Sequence, residues 1–291
     1  MHDFLAASIS IAFHGVALAM VLYLVSVGLS ITMGLMGFVN LAHGAFAAAG
    51  GYVALTLMND MGVPFPVALA IAALAVGAAS MLLERLFYSR LYGEHELSQV
   101  MFTIGLILVT TGAAKGVWGP LSLPMHPPAY LQGDVDLWFR SFPTYRSFLI
   151  AAGVVLVTAL WLGLERTRFG AQVRAAVDNR RMAQSLGINT SLLFTLTFAL
   201  GSALAALGGA VGAEIWAIDT GYAQEHLVYF LIVVAVGGLG SIRGPFFASL
   251  LLGVSDTAFK YLLPEFGAFF IYALTLVLLL WRPQGLFGRA R

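Results

Sequence analysis

Apolar runs of about twenty residues recur along this chain, separated by short polar, glycine-rich or proline-rich breaks. A helix of that length crosses roughly 30 Å of hydrocarbon. Inside a bilayer every backbone N–H and C=O must be satisfied within the protein, which restricts spanning segments to helices or closed barrels. The runs near 8–31, 41–58, 64–83, 97–115, 147–163, 187–212, 226–243, 245–262 and 266–281 read as spans. Hydrophobic residues make up 60% of the chain and the mean hydropathy is +0.90, against about 45–50% apolar residues in a soluble domain. The expected fold class is therefore all-α: a single polytopic transmembrane helix bundle over residues 1–291, with about nine spans and a range of eight to ten. No basic region precedes the first run and no small-residue cleavage site follows it, so the first span is expected to stay in the protein.

Charge is scarce, so its placement carries the information. The net charge of +1 does not point to a nucleic-acid partner; membrane lipid is the expected surroundings. Ten of the fifteen Lys and Arg residues fall in residues 84–96, 164–186 and 282–291. Positive loops stay on the cytoplasmic side, which predicts an outside N-terminus and a cytoplasmic C-terminus. The long segment 116–146 then lies outside, and its Trp118, Tyr130, Trp138 and Phe139 suit a membrane interface. Residues 166–181 alone hold Arg166, Arg168, Arg174, Arg180 and Arg181. On a helix Arg174 and Asp178 form an i,i+4 pair, while Ala171, Ala175, Met182 and Leu186 share another face. This pattern reads either as a charged topology anchor or as a surface helix over 171–186 that docks into a partner's groove.

Two runs are poor continuous helices. Gly34–Gly44 places three glycines with Asn40 and His43 at expected membrane depth, and Gly237–Pro245 repeats the pattern in the second half. Broken segments in the two halves are the usual pointer to a transporter's central site near the bilayer midplane. Asn40, His43 and Gly44 from the first break, and Gly238, Gly240 and Ser241 from the second, are the expected lining of a substrate path. The structural alternative is that Asn40 caps the helix that follows and His43 bonds to a neighbouring helix. Between the breaks, Gly201, Ala205, Gly209 and Ala213 recur every four residues, a stripe that lets helix backbones approach closely. Glu214 and Asp219 read as outer-surface groups, and Asp256 with Lys260 as a structural i,i+4 pair.

Several chemistries are missing. Neither lysine, Lys115 nor Lys260, follows a glycine, so there is no phosphate-binding Gly-Lys-Ser/Thr loop. Gly238-Leu239-Gly240 lacks the third dinucleotide glycine, because Arg243 stands at that position. The six histidines show no metal-ligand spacing, no Gly-x-Ser-x-Gly elbow occurs, and there is no cysteine. No catalytic or metal site and no cofactor in this chain is expected, and any coupling to ATP must come from another protein.

The residues Gly37-Phe38-Val39-Asn40-Leu41-Ala42-His43-Gly44 resemble the Gly-x-x-Asn-x-Ala-His-Gly signature of branched-chain amino acid ABC transporter permeases of the H type. Thr167-Arg168-Phe169-Gly170, Arg174-Ala175, Asn179, Met182-Ala183 and Gly187-Ile188-Asn189 are similar to that family's coupling segment, here residues 164–187. Gly237–Pro245 resembles its second glycine motif and Arg282–Gly288 its C-terminal ending, with Arg243 bulkier than the pattern leads one to expect. The resemblance implies an importer permease in a bacterial or archaeal cell membrane. Its partners would be a second related permease, two ATPase subunits that bind Mg-ATP, and an extracytoplasmic substrate-binding protein. It leaves the cargo open among branched-chain amino acids, urea, short amides and aromatic acids. Together with the amphipathic pattern and the expected cytoplasmic placement, it makes Arg174, Ala175, Asp178, Arg181, Met182, Ala183, Leu186 and Gly187 the expected ATPase-coupling residues. A self-contained secondary carrier or channel is the alternative. Such a carrier is expected to place carboxylates at the midplane, where the runs hold almost none apart from Asp256.

Overall fold

Helix α9 (Thr190–Gly212) is buried along most of its length and has α1 (His2–Met36), α2 (His43–Asn59) and α3 (Phe65–Leu83) packed around it. The computed structural model describes residues 2–137, 140–241 and 243–288. Trp138 and Phe139, with Ile242 of the second glycine run and Arg289 and Arg291 of the C-terminal positive group, lie outside the described residues. The reason for α9's central place is its small-residue stripe. A Cβ at Gly201 would stand 3.0 Å from the carbonyl oxygen of Gly28 on α1. One at Gly209 would run into the backbone of Ala47 on α2. Removing side chains at such points lets the helix axes close and dispersion contacts accumulate.

Contacts along α9 set the directions of its neighbours. Val21 lies beside Gly212 and Gly28 beside Gly201, so α1 runs antiparallel to α9. Gly77 lies beside Ala199 and Ala203, while Glu84 bonds to Thr195, so α3 is antiparallel as well. α3 continues through a π-turn (Glu84–Tyr88) into α4 (Ser89–Leu91), and α5 (Glu96–Trp118) follows. α6 (Thr144–Arg166), α7 (Arg168–Asp178) and α8 (Arg180–Ser185) lead into α9, and α10 (Tyr222–Gly237), α11 (Gly244–Leu262) and α12 (Gly267–Trp281) complete the bundle. Among the described residues five helices are long and apolar enough to cross a membrane, and α10 and residues Phe269–Trp281 are shorter apolar helices. The result is a multi-pass all-α membrane bundle.

Segment 116–146 holds an element that the run analysis does not anticipate. Residues Asp134–Leu137 (β1) and Arg140–Pro143 (β2) pair antiparallel, Asp134 opposite Pro143 and Leu137 opposite Arg140. Leu123 also bridges Ile218, whose side chain packs on Gly51. This hairpin end of the bundle is opposite the end that carries α7 and α8, called here the arginine-rich end. The pair Asp256–Lys260 forms as expected, at 2.6 Å.

Proximity is tightest where α1 meets the loop after α10. A Cβ at Gly34 would collide with the Gly240 backbone, whereas one at Gly163 on α6 would meet nothing within 4 Å. Overpacking of a close contact costs about 1–3 kcal/mol. Gly34→Val should therefore lower the melting temperature of the detergent-purified protein, while Gly163→Ala leaves it within error. Differential scanning fluorimetry of the two variants measures this.

Candidate functional site

The first break, Gly37–Ala42, leaves the end of α1 and turns back into the bundle. His43 opens α2 and its Nε2–H donates to the carbonyl of Val25, 3.0 Å away, well before the end of α1. The imidazole is 1% exposed. With Nε2 donating, Nδ1 is left as an acceptor, and it has no hydrogen-bond partner. Asn40 is 2% exposed and does not cap α2; its Oδ1 accepts from the Tyr88 hydroxyl at 3.0 Å, and Nδ2 is unmet. The capping alternative thus fails for Asn40, because the first turn of α2 carries no side-chain cap. The Val39 N–H is taken up by Oε1 of Gln99 at 3.4 Å.

Gly44 lies against the start of α10, its would-be Cβ 2.8 Å from the Ala223 carbonyl oxygen. The N-terminal turns of α2 and α10 therefore meet, and the buried Tyr222 hydroxyl on α10 is likewise unmet. Two helix N-termini, each the positive end of its dipole, favour negative charge nearby.

The second break lies elsewhere. Gly238, with φ 96°, is buried, and Gly240, with φ 74°, and Ser241 are half-buried. Gly240 stands near Val177 of α7, and Arg243 pairs with Glu165 at the end of α6, 3.0 Å apart. The second glycine run thus sits at the arginine-rich end and not near the middle of the bundle, in contrast to the expectation of two midplane breaks. The physical reason is that the loop closes on the end of α1. The Gly240 N–H donates to the Ser30 carbonyl at 3.2 Å, and the Ser30 hydroxyl donates to the Ser241 carbonyl at 3.0 Å. Gly238, Gly240 and Ser241 are therefore not brought together with Asn40, His43 and Gly44. The ion pair also accounts for Arg243, the residue that departs from the family pattern.

The C-terminal motif completes this loop. Leu286 N–H donates to the Val236 carbonyl at 2.7 Å and Phe287 N–H to the Gly237 carbonyl at 3.2 Å. These carbonyls end α10 and have no intrahelical donor.

The arginine-rich segment is two helices. Asn179, at φ −155° and ψ 98°, breaks it and caps α8 by accepting from Met182 N–H at 3.0 Å. Thr167 caps α7 and Asn189 caps α9 in the same way, so three caps fix three successive helix starts. A continuous helix over 171–186 is thereby corrected. The apolar face of α7 is also spent internally: Val173, Ala176 and, on α8, Ala183 are buried against the bundle. Ala183 is thus removed from the set of exposed docking residues, and Ala175 is half-buried. Met182 and Leu186 are 59% and 73% exposed. Arg174 donates to the Leu164 carbonyl. Asp178 and Arg181 are exposed, and Gly187, with φ 82°, ends α8. Arg180 lies over the Phe194 ring, 4.5 Å from its centroid.

Glu84 lies one residue past the apolar run expected over 64–83. It is 2% exposed, and its two carboxylate oxygens accept from Tyr92 at 2.8 Å and Thr195 at 2.7 Å. Reading the apolar run on to Leu91 turns Glu84 into an intramembrane carboxylate, a strong functional signal. The π-turn that begins at Glu84 ends at Tyr88, the partner of Asn40, and π-turns concentrate at functional sites.

Tyr88→Phe deletes one buried donor and leaves the rings packed around it in place. An unmet buried acceptor costs about 1–3 kcal/mol. This variant should fold but transport more slowly, and His43→Leu should do the same; normal uptake rates for both would make these bonds purely structural.

Comparison with known proteins bears on the arrangement directly. Residues 11–279 match the family model described as branched-chain amino acid transport system / permease component. The chain is 27% identical over 290 residues to the high-affinity branched-chain amino acid transport system permease protein LivH of Escherichia coli K12, covering 95% of this chain and 94% of that one. It is 28% identical over 285 residues to BraD of Pseudomonas aeruginosa, a permease protein of the same description, covering 91% of each. LivM of Escherichia coli K12 is 25% identical over 299 residues, 94% of this chain and 69% of LivM. No solved structure matches. These relatives are transport subunits and not enzymes, and with its family-wide match the chain belongs to the branched-chain amino acid transport system permease family.

Proposed function

We propose that this chain is the membrane-embedded permease subunit of an ATP-driven importer for branched-chain amino acids. It works beside a second related permease, two ATPase subunits that bind Mg-ATP and an extracytoplasmic binding protein. The arginine-rich end faces the cytoplasm and the hairpin end faces outward, in a nine-span arrangement with the N-terminus outside. The observation that carries this reading is the α7–α8 segment. Its own apolar face is buried in the bundle, yet it leaves Met182 and Leu186 exposed beside arginines. Exposed apolar anchors within a charged rim are what a soluble partner's groove takes up.

The cargo assignment follows the family and is supported by the chemistry where α2 and α10 meet. Helix N-termini suit a carboxylate. Asn40 Nδ2, His43 Nδ1 and the Tyr222 hydroxyl offer unmet donor and acceptor atoms in an otherwise apolar setting. Gly44 provides the close approach; Gly238, Gly240 and Ser241 serve the same path only indirectly, by fixing the end of α1.

A carrier working alone remains a reading with one observation in its favour: Glu84 adds a second buried carboxylate to Asp256. Reconstitution decides between them. The purified chain alone should not take up leucine in liposomes under a proton or sodium gradient, and leucine uptake should require the ATPase subunits, ATP and the binding protein. Leucine, isoleucine and valine should compete with one another, and urea, a short amide and an aromatic acid should not.

Coupling has its own test. Removing a buried interface anchor typically costs about 1–3 kcal/mol, more than an exposed charge contributes. Met182→Asp and Leu186→Asp should each release the ATPase subunits on affinity purification, while Arg166→Ala retains them. Retention by both aspartate variants would reduce the segment to a topology anchor. Orientation is read by Ser185→Cys, unambiguous in a chain without cysteine; labelling from outside intact cells would reverse the map.

A further inference from the structure

We propose that a groove between α6 and α9 holds one acyl chain of an anionic phospholipid, whose phosphate lies at the corner where α6 turns into α7. At the hairpin end the two helices are tied together, the Tyr145 hydroxyl donating to the Val211 carbonyl at 2.9 Å. Toward the arginine-rich end a groove of about 360 Å³ separates them. Leu156, Ala159, Leu160 and Gly163, on one face of α6, form one wall, and Leu200 and Leu204 of α9 form the other. Ala159 is exposed, and a Cβ at Gly163 would meet nothing within 4 Å. The groove is therefore open to the surroundings along α6.

Its dimensions select the occupant. The α6 lining runs from Leu156 to Thr167, about 16 Å of helix axis. Spread over that length, the volume leaves a cross-section of about 22 Å², against about 80 Å² for even a slim helix. A single extended hydrocarbon chain fits that section and a second helix does not. The walls are almost wholly apolar, and a void there forfeits dispersion contacts on both sides. An acyl chain from the surrounding bilayer restores them.

The end of the groove is positive. Thr167 and Phe169 line it there, and Arg166 and Arg168, the chain neighbours of Thr167, are both exposed. Arg174 comes to the same corner from α7, its guanidinium donating to the carbonyl of Leu164, a residue of the groove wall. Among the described residues none of these three arginines is in an ion pair, whereas the corner's own carboxylate, Glu165, is paired with Arg243 at 3.0 Å. The last carbonyls of α6, the negative end of that helix, are partly taken up: the Thr167 hydroxyl donates to Gly163 and Arg174 to Leu164. Uncompensated cations at the mouth of a slot for one hydrocarbon chain match a ligand that carries a phosphate at the head of such a chain. The proposal needs only that the bundle sits in a bilayer, and it stands apart from the cargo and importer readings.

The test places the full-length chain, alone and in the assembled transporter, in phosphatidylcholine nanodiscs with a trace of photoreactive lipid. The probes are phosphatidylglycerol and phosphatidylcholine, each with a diazirine in the same acyl chain. After irradiation, peptide mass spectrometry should find phosphatidylglycerol adducts on residues 156–167 or 200–204 at least about fivefold above phosphatidylcholine adducts, the factor that one basic residue near an anionic head supplies. Arg166→Gln and Arg168→Gln should each lower the phosphatidylglycerol adducts by about that factor and leave the phosphatidylcholine adducts unchanged. Gly163→Phe, whose ring enters open space, should remove the adducts of both lipids from these residues. Added phosphatidylglycerol should raise the melting temperature of the wild type and not of Gly163→Phe. Ala159→Phe, at an exposed position of the same wall, serves if Gly163→Phe fails to fold. Equal labelling by the two lipids, or labelling that survives both arginine substitutions undiminished, overturns the anionic site. Labelling of the chain alone that is lost on assembly gives the groove to a partner subunit and overturns the lipid as its occupant.

Discussion

The backbone groups freed at the α10–α11 turn are met by partners from other parts of the chain, and much of the arginine-rich end is organised by how this is done. α10 stops at Gly237, and its last carbonyls receive N–H groups from Leu286 and Phe287. The loop's own N–H at Gly240 and its carbonyl at Ser241 are taken by Ser30 on α1, and the Ser241 hydroxyl accepts from Gly244 N–H at 2.9 Å to start α11. Three separate parts of the chain, α1, the turn itself and residues 286–287, are thereby joined at one place. Val177 of α7 packs beside it. The arginine-rich segment, this turn and the end of α1 are therefore in direct contact.

Helix α9 does for packing what that turn does for hydrogen bonding. Its small residues draw α1, α2 and α3 inward, and this in turn sets Thr195 against Glu84 and Phe198 against Tyr88, whose rings lie 4.7 Å apart. From Tyr88 the connection runs to Asn40 and so to the place where α2 and α10 begin. The π-turn stands between the two ends of this route. Its wider turn costs helix regularity and is retained where it aims side chains that a regular helix would misdirect. Glu84 opens this five-residue turn and Tyr88, the partner of Asn40, closes it.

Much of this was legible from residue order alone, and the remainder was not for identifiable reasons. The apolar runs, the arginine-rich loop and the stripe on α9 are local patterns, so their helices lie close to where periodicity puts them. The pairs that make the site are not local: Tyr88 meets Asn40 and Thr195 meets Glu84 across unrelated stretches of chain. The two glycine runs look alike in sequence, yet one re-enters the bundle and the other closes a turn at its end. That difference depends on Ser30 and on residues 286–287, which carry no sequence signal of partnership. Asn179 falls inside the expected 171–186 helix, yet it leaves helical backbone and caps α8 through Met182 N–H. The hairpin at 134–143 rests on strands of four residues, too short for alternation to stand out.

The dependence of α10 on residues far downstream has a consequence for how the protein is made. Synthesis delivers segments in order, and α10 emerges before α11, α12 and the residues that close its last turn. Until Leu286 and Phe287 have left the ribosome, the carbonyls of Val236 and Gly237 have no protein donor and must remain within reach of water or the insertion machinery. Closure of the α10 end therefore waits on residues 286 and 287, and a nascent chain stalled short of them would leave those two carbonyls without their protein donors.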